Sequence, residues 1–125
     1  MSQFALGQEV PLLVQQAASR KLQIDELTVS LICDTETKEV RGGKTRYNTA
    51  EYSSKTISLL KKRAVQPHEL LSAAWTLTVP VDQQPSTPPS SKDYPQFHWQ
   101  LEVHTHIHQS PDYRAKFPIL IHRTA

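Results

Sequence analysis

One cysteine, Cys33, is the only thiol in this chain, which excludes an intrachain disulfide and a cysteine-based zinc finger. Glycine is scarce, three residues against nine prolines, a balance that suits a β-rich domain with stiff connections better than a helical bundle. No stretch approaches the roughly 20 apolar residues of a membrane-spanning helix. The opening "MSQFALGQEV" lacks both the basic and the long apolar region of a secretory signal. Charge of one sign is also missing, with 14 basic residues against 12 acidic and a net charge of +2. No strong field therefore selects nucleic acid or an anionic lipid surface as a partner. These absences lead us to expect a soluble chain, cytoplasmic as an isolated domain, with no nucleic-acid partner and no direct insertion into a membrane.

At 125 residues the chain has the size of a single domain, spanning 1–125, with one two-layer core. Apolar residues then recur with a period of two in several places. Val10, Leu12 and Val14 lie on one side of "VPLLV", with Leu13 on the other. Leu27, Val29, Leu31 and Cys33 alternate with Thr28, Ser30 and polar neighbours. "VRGGKTRY" is a glycine turn leading into a second polar strand from Tyr47 to Leu60, so the pair reads as a long hairpin. "VQPHELLSAA" has the look of a first helical turn, but it runs into "AAWTLTVPV", where Trp75, Leu77, Val79 and Val81 alternate as in a strand. "DQQPSTPPSSKDYP" is an extended, proline-rich connector. Two final strands follow, joined at "QSPD". Half a dozen strands without a long helix imply an all-β sandwich.

The stretch "HWQLEVHTHIHQ" holds four of the six histidines. Phe97, Trp99, Leu101, Val103 and Ile107 face one way. His98, Gln100, Glu102, His104, His106 and His108 face the other, and a slip of one residue would bury them all. The histidines therefore belong on the solvated face, where most need no further explanation. A metal reading stands as the alternative. Residues i and i+2 of a strand lie about 6.6 Å apart on one face, close enough for two imidazoles to reach one zinc ion. A third ligand must come from a neighbouring strand. If Phe117, Ile119 and Ile121 face the core, His122 falls on the histidine face, so the alternative set is Glu102, His104, His106 and His122. With the solvated-face reading preferred, no cofactor is expected, and zinc is the ion in the alternative. Protonating all six histidines would also raise the net charge from +2 to +8, which makes pH sensing part of that alternative.

Other motifs carry less. "GGKT" at Gly42 to Thr45 lacks the earlier glycine of a phosphate-binding loop and reads as a turn. The tip does present Arg41, Lys44 and Arg46, a candidate contact for an acidic partner. Cys33, within an apolar alternation, reads as a small core residue rather than a nucleophile. Trp75 and Trp99 both fall on inward-facing positions and read as core. No catalytic residue is nominated, so the chain is not expected to be an enzyme.

The order of these landmarks resembles the arrestin-like domain: "LGQEVPLLV", "LTVSLICDTE", a long polar hairpin, "LTVPVDQQPSTPPSS", "HWQLEV" and "DYRAKFPILI". The likeness is carried by Pro80, by Pro88-Pro89-Ser90, by Trp99 with Leu101, and by Phe117-Pro118-Ile119. It covers nearly the whole chain, and its specificity lies in the order of the motifs. The nearest likeness is to bacterial arrestin-like domains of uncharacterised membrane-anchored proteins. The resemblance implies an immunoglobulin-like, arrestin-type two-sheet β-sandwich and a non-catalytic protein-interaction or scaffolding role. It also implies a fragment of a larger chain whose remainder is membrane-anchored. The polar-core motif of phosphate-sensing arrestins is not matched, so those residues are not carried over. An edge strand normally precedes the segment that begins here near Gly7, and "MSQFAL" shows no strand pattern. The first edge strand is therefore expected to be missing or contributed by upstream sequence. That would leave a sheet edge open to a protein partner, to the rest of the parent chain, or to a second copy in a β-edge homodimer.

Overall fold

The computed structural model describes residues 2–123. All of its regular elements are strands: β1 (Ser2–Ala5), β2 (Glu9–Ala17), β3 (Leu22–Arg41), β4 (Lys44–Val65), β5 (Leu70–Thr78), β6 (Gln96–Ile107) and β7 (Tyr113–His122). No helix is long and apolar enough to cross a membrane. Five strands form one sheet in the order β1-β7-β6-β3-β4, and β2 pairs with β5 in a second, two-stranded sheet. The chain is an all-β, two-sheet sandwich.

The alternation read in β3 puts Leu27, Val29, Leu31 and Cys33 in the core, each no more than 2% exposed. β3 and β4 form one hairpin across Gly42 and Gly43, whose φ angles of +56° and +77° are those of a two-residue type I′ turn. The helical reading after Val65 gives way to a turn and then β5. In that turn the Gln66 N–H donates to Glu69 Oε1 at 3.3 Å, and Arg63 meets Glu69 Oε2 at 2.9 Å. Those two contacts, the backbone bond foremost, hold the Glu69 carboxyl below its ordinary range.

One expectation is corrected at the N-terminus. The first edge strand is present: Ser2–Ala5 is β1, paired in parallel with Ser2 opposite Ile119 and Ala5 opposite His122. Four residues are too few for an alternation to register, and the pairing joins opposite ends of the chain. The chain then crosses between the sheets at Gly7, whose N–H donates to the Val79 carbonyl at 2.8 Å. Gly7 has φ +80°, and a Cβ there would sit 2.7 Å from Val81 Cγ1. Gly7→Ala is expected to cost about 1–3 kcal/mol through backbone strain and this clash. Gly42→Asn, at a turn with nothing within 4 Å, should cost far less; thermal unfolding of the two variants tests the contrast.

The core falls into clusters along the sandwich. Val10, Leu31, Cys33, Leu77, Val79, Trp99, Ile119 and Ile121 form the largest, and Leu27, Val29 and Val103 form another. Cys33 is fully buried, and desolvation, with the Asp34 charge second, pushes its thiol up to about 11. Two inward-facing aromatics are not core. Trp75 lies opposite Leu12 yet is 48% exposed, and Phe117 is 51% exposed although Ile119 and Ile121 beside it are buried. The two-stranded sheet is narrower than the five-stranded one and does not cover Phe117 on β7, whereas Trp75 lies on the narrow sheet itself and its exposure has no such cause.

Candidate functional site

β6 sends Val103 and Thr105 inward, where the Thr105 hydroxyl donates to Gln16 Oε1 of β2 at 3.0 Å. His104 and His106 consequently project from the opposite, outer face of the five-stranded sheet. Their rings stack with centroids 3.7 Å apart and planes 32° from parallel. After Ile107 the chain turns through Gln109, at φ +53°, and Asp112, after Pro111, comes back within reach of nitrogens of the two rings. Asp112 Oδ2 lies 2.9 Å from His104 Nε2 and 3.2 Å from His106 Nδ1. Asp112 Oδ1 accepts from the Ile107 N–H at 3.4 Å, which fixes the orientation of the carboxylate. The hydrogen bond with His104 is the main reason the Asp112 carboxyl lies below its ordinary range, partly opposed by desolvation.

The residues named from sequence are distributed differently. Glu102 shares the outer face but is engaged by Arg114 Nη1 at 3.3 Å. His108 faces Asp25 at 3.6 Å. His122 lies on the same face but not in the same place. His104 is opposite Arg114, and His122 is eight positions further along β7, roughly 26 Å away at strand spacing. A cluster containing His122 together with His104 is thus corrected. Asp112 stands where a strand residue was expected, and the only signal for it was an acidic residue in the "QSPD" connector.

At the other end of the sheet the β3–β4 hairpin runs on past the last β6 pair, Glu36 with Gln96, as a two-stranded ribbon. Arg41 opposes Lys44 and Glu39 opposes Arg46, which puts Arg41, Lys44 and Arg46 on one face of its tip. Glu39 sits among them and pairs with Arg41 at 2.5 Å. Tyr47 contacts the Tyr94 ring at a centroid distance of 5.6 Å, tying the ribbon base to the proline-rich connector.

The third feature is a groove of about 800 Å³ beside β2. Leu12 and Val14 of β2 form its rim, and Leu101, Val103 and Phe117 of the larger sheet form its floor. β2 has β5 on one side and no strand on the other among the described residues. Leu13, on the outer face of this edge strand, is 64% exposed.

A solved structure shares this architecture. The chain is similar to Spo0M, the sporulation control protein of Bacillus subtilis, with a TM-score of 0.71 at 16% sequence identity. The match covers 98% of this chain and 46% of that one, so the present chain spans about half the length of its structural neighbour. No protein-family model and no curated protein matches the sequence. The likeness to Spo0M establishes the fold, an arrestin-type sandwich as the order of landmarks implied.

Proposed function

We propose that this domain is a non-catalytic protein-interaction module whose docking edge is β2, and that the strand it takes is β2 of a second copy. The observation that carries this reading is the unpaired β2 edge beside the apolar groove. Both edges of the five-stranded sheet are guarded. β1 has only four residues, and β4 carries Lys55, Lys61, Lys62 and Arg63 and two register shifts, features that discourage strand addition. β5 is likewise unpaired on its far side, but no β5 residue lines the apolar groove, which sets the β2 edge apart. β2 offers Leu12, Leu13 and Val14 in its middle, with Pro11 withholding a donor only near its start.

Antiparallel pairing of β2 with its copy turns two two-stranded sheets into one continuous sheet, β5-β2-β2-β5, of ordinary width. The contact is self-complementary, as a two-fold dimer requires. Leu12 and Val14 of each copy then approach the floor formed by Phe117 and Val103 of the other.

Sedimentation over a range of concentrations tests the reading. The wild type should pass from monomer to dimer as concentration rises. Leu13→Lys, which sets like charges opposite each other, and Phe117→Lys, which charges the groove, should stay monomeric with little loss of stability. A wild type that stays monomeric throughout, or dimerisation untouched by both substitutions, contradicts it. The basic ribbon supports a second contact, with an acidic protein segment, because Arg41, Lys44 and Arg46 share one face. Such a contact weakens with added salt, whereas apolar strand pairing does not.

A further inference from the structure

We propose that His104, His106 and Asp112 form a binding site for a divalent first-row transition ion of the zinc class, which ties the end of β6 to the loop before β7. The three ligand atoms lie within 4.8 Å of one another. Two of the separations, 2.9 and 3.2 Å from the shared carboxylate oxygen to His104 Nε2 and His106 Nδ1, are already close to metal spacing. Ligands at about 2.0–2.1 Å from a tetrahedral ion stand about 3.3 Å from each other. A small outward movement of the Asp112 side chain therefore opens room for the ion, which takes the place of the contact between His104 Nε2 and the carboxylate.

The surroundings favour this set. Ile107 N–H holds the second carboxylate oxygen, the kind of support that orients a ligating carboxylate. Competing charges are already occupied. Arg114, across the strand from His104, is turned to Glu102, and Glu26, across from His106, faces Lys61 at 3.8 Å. His104 is 14% exposed in its side chain, so one side of the site is sheltered, while His106 and Asp112 at 39% and 38% leave an open approach. Two imidazoles and one carboxylate suit zinc, nickel or copper and are poor for magnesium or calcium, which require mostly oxygen ligands. Three protein ligands leave a fourth position for water or an exchangeable group. The site lies on the outer face of the five-stranded sheet, away from β2, so it is independent of strand pairing there.

Calorimetric titration of the chelator-treated protein with zinc chloride, beside thermal melts, tests the assignment. One equivalent should bind, and at a hundredfold excess over Kd the melting midpoint should rise by roughly 10 °C. Asp112→Ala and His106→Ala, both at partly exposed positions, should fold normally and weaken binding by at least about 100-fold. His122→Ala should bind as the wild type does, and magnesium should give neither heat nor shift. No zinc binding by the wild type overturns the proposal. So does binding that survives both Asp112→Ala and His106→Ala, or that disappears in His122→Ala, because the ion then sits elsewhere on the histidine-rich face.

Discussion

Replacing Trp99 with alanine is expected to remove about 3–5 kcal/mol of folding stability. Trp99 is 3% exposed and sits on β6 between Cys33 of β3 and Ile119 of β7, in the middle of the largest core cluster. Its truncation leaves a cavity that rigid sheets on either side cannot close. Its indole Nε1–H also donates to the Gln84 carbonyl at 2.8 Å, which anchors the proline-rich connector to the sandwich. Trp99→Phe should cost less, because it keeps most of the packing and loses mainly this hydrogen bond, a net contribution of about 1 kcal/mol. A domain of this size has roughly 5–15 kcal/mol in all, so Trp99→Ala brings it near the threshold of unfolding. Denaturant titration at unchanged slope measures the loss.

Leu27→Ala is expected to cost about 2–5 kcal/mol. Leu27 is fully buried in a different cluster, with Val29 and Val103, packed against Leu60 and Ala73. On β3 it lies six positions from Cys33, the residue opposite Trp99, about 20 Å at strand spacing. Effects that far apart add within about 0.5 kcal/mol. The double variant should therefore lose the sum of the two single losses, about 5–10 kcal/mol, a large part of the stability of a domain this size. A double variant barely worse than Trp99→Ala alone would mean that the two clusters do not stand independently.

Both residues were legible in the sequence, because each lies in a strand with one buried and one wet face, where alternation leaves a single register of faces. The same logic puts His104 and His106 together on the outer face. It fails in three places, each for a physical reason. Alternation fixes which face a residue occupies but not its position along the neighbouring strand, so His122 shares the face with His104 and still lies eight positions away from it. Asp112 comes from a connector, and its position depends on how the chain turns between Ile107 and Tyr113, which no periodicity encodes. Phe117 faces inward but remains about half exposed, because the opposing sheet has only two strands and alternation does not encode that width. β1 is a fourth case of a different kind. It is four residues held by parallel pairing to the far end of the chain, a contact without a local signature.

Cys33 illustrates a residue whose role the fold settles by burial. Its thiol lies in the main cluster and is pushed up to about 11 by burial, so it stays protonated at neutral pH and packs as a small apolar side chain. The proposed contacts all lie on surfaces: the β2 edge, the ribbon tip and the histidine face.

Amide hydrogen exchange at low and high protein concentration reads out whether β2 docks a second copy. The β2 amides that do not bond to β5 should exchange freely when dilute and become protected when concentrated, with the β4 amides unchanged. Equal exchange across β2 at every concentration, or new protection confined to β4 or to the ribbon tip, would contradict the account.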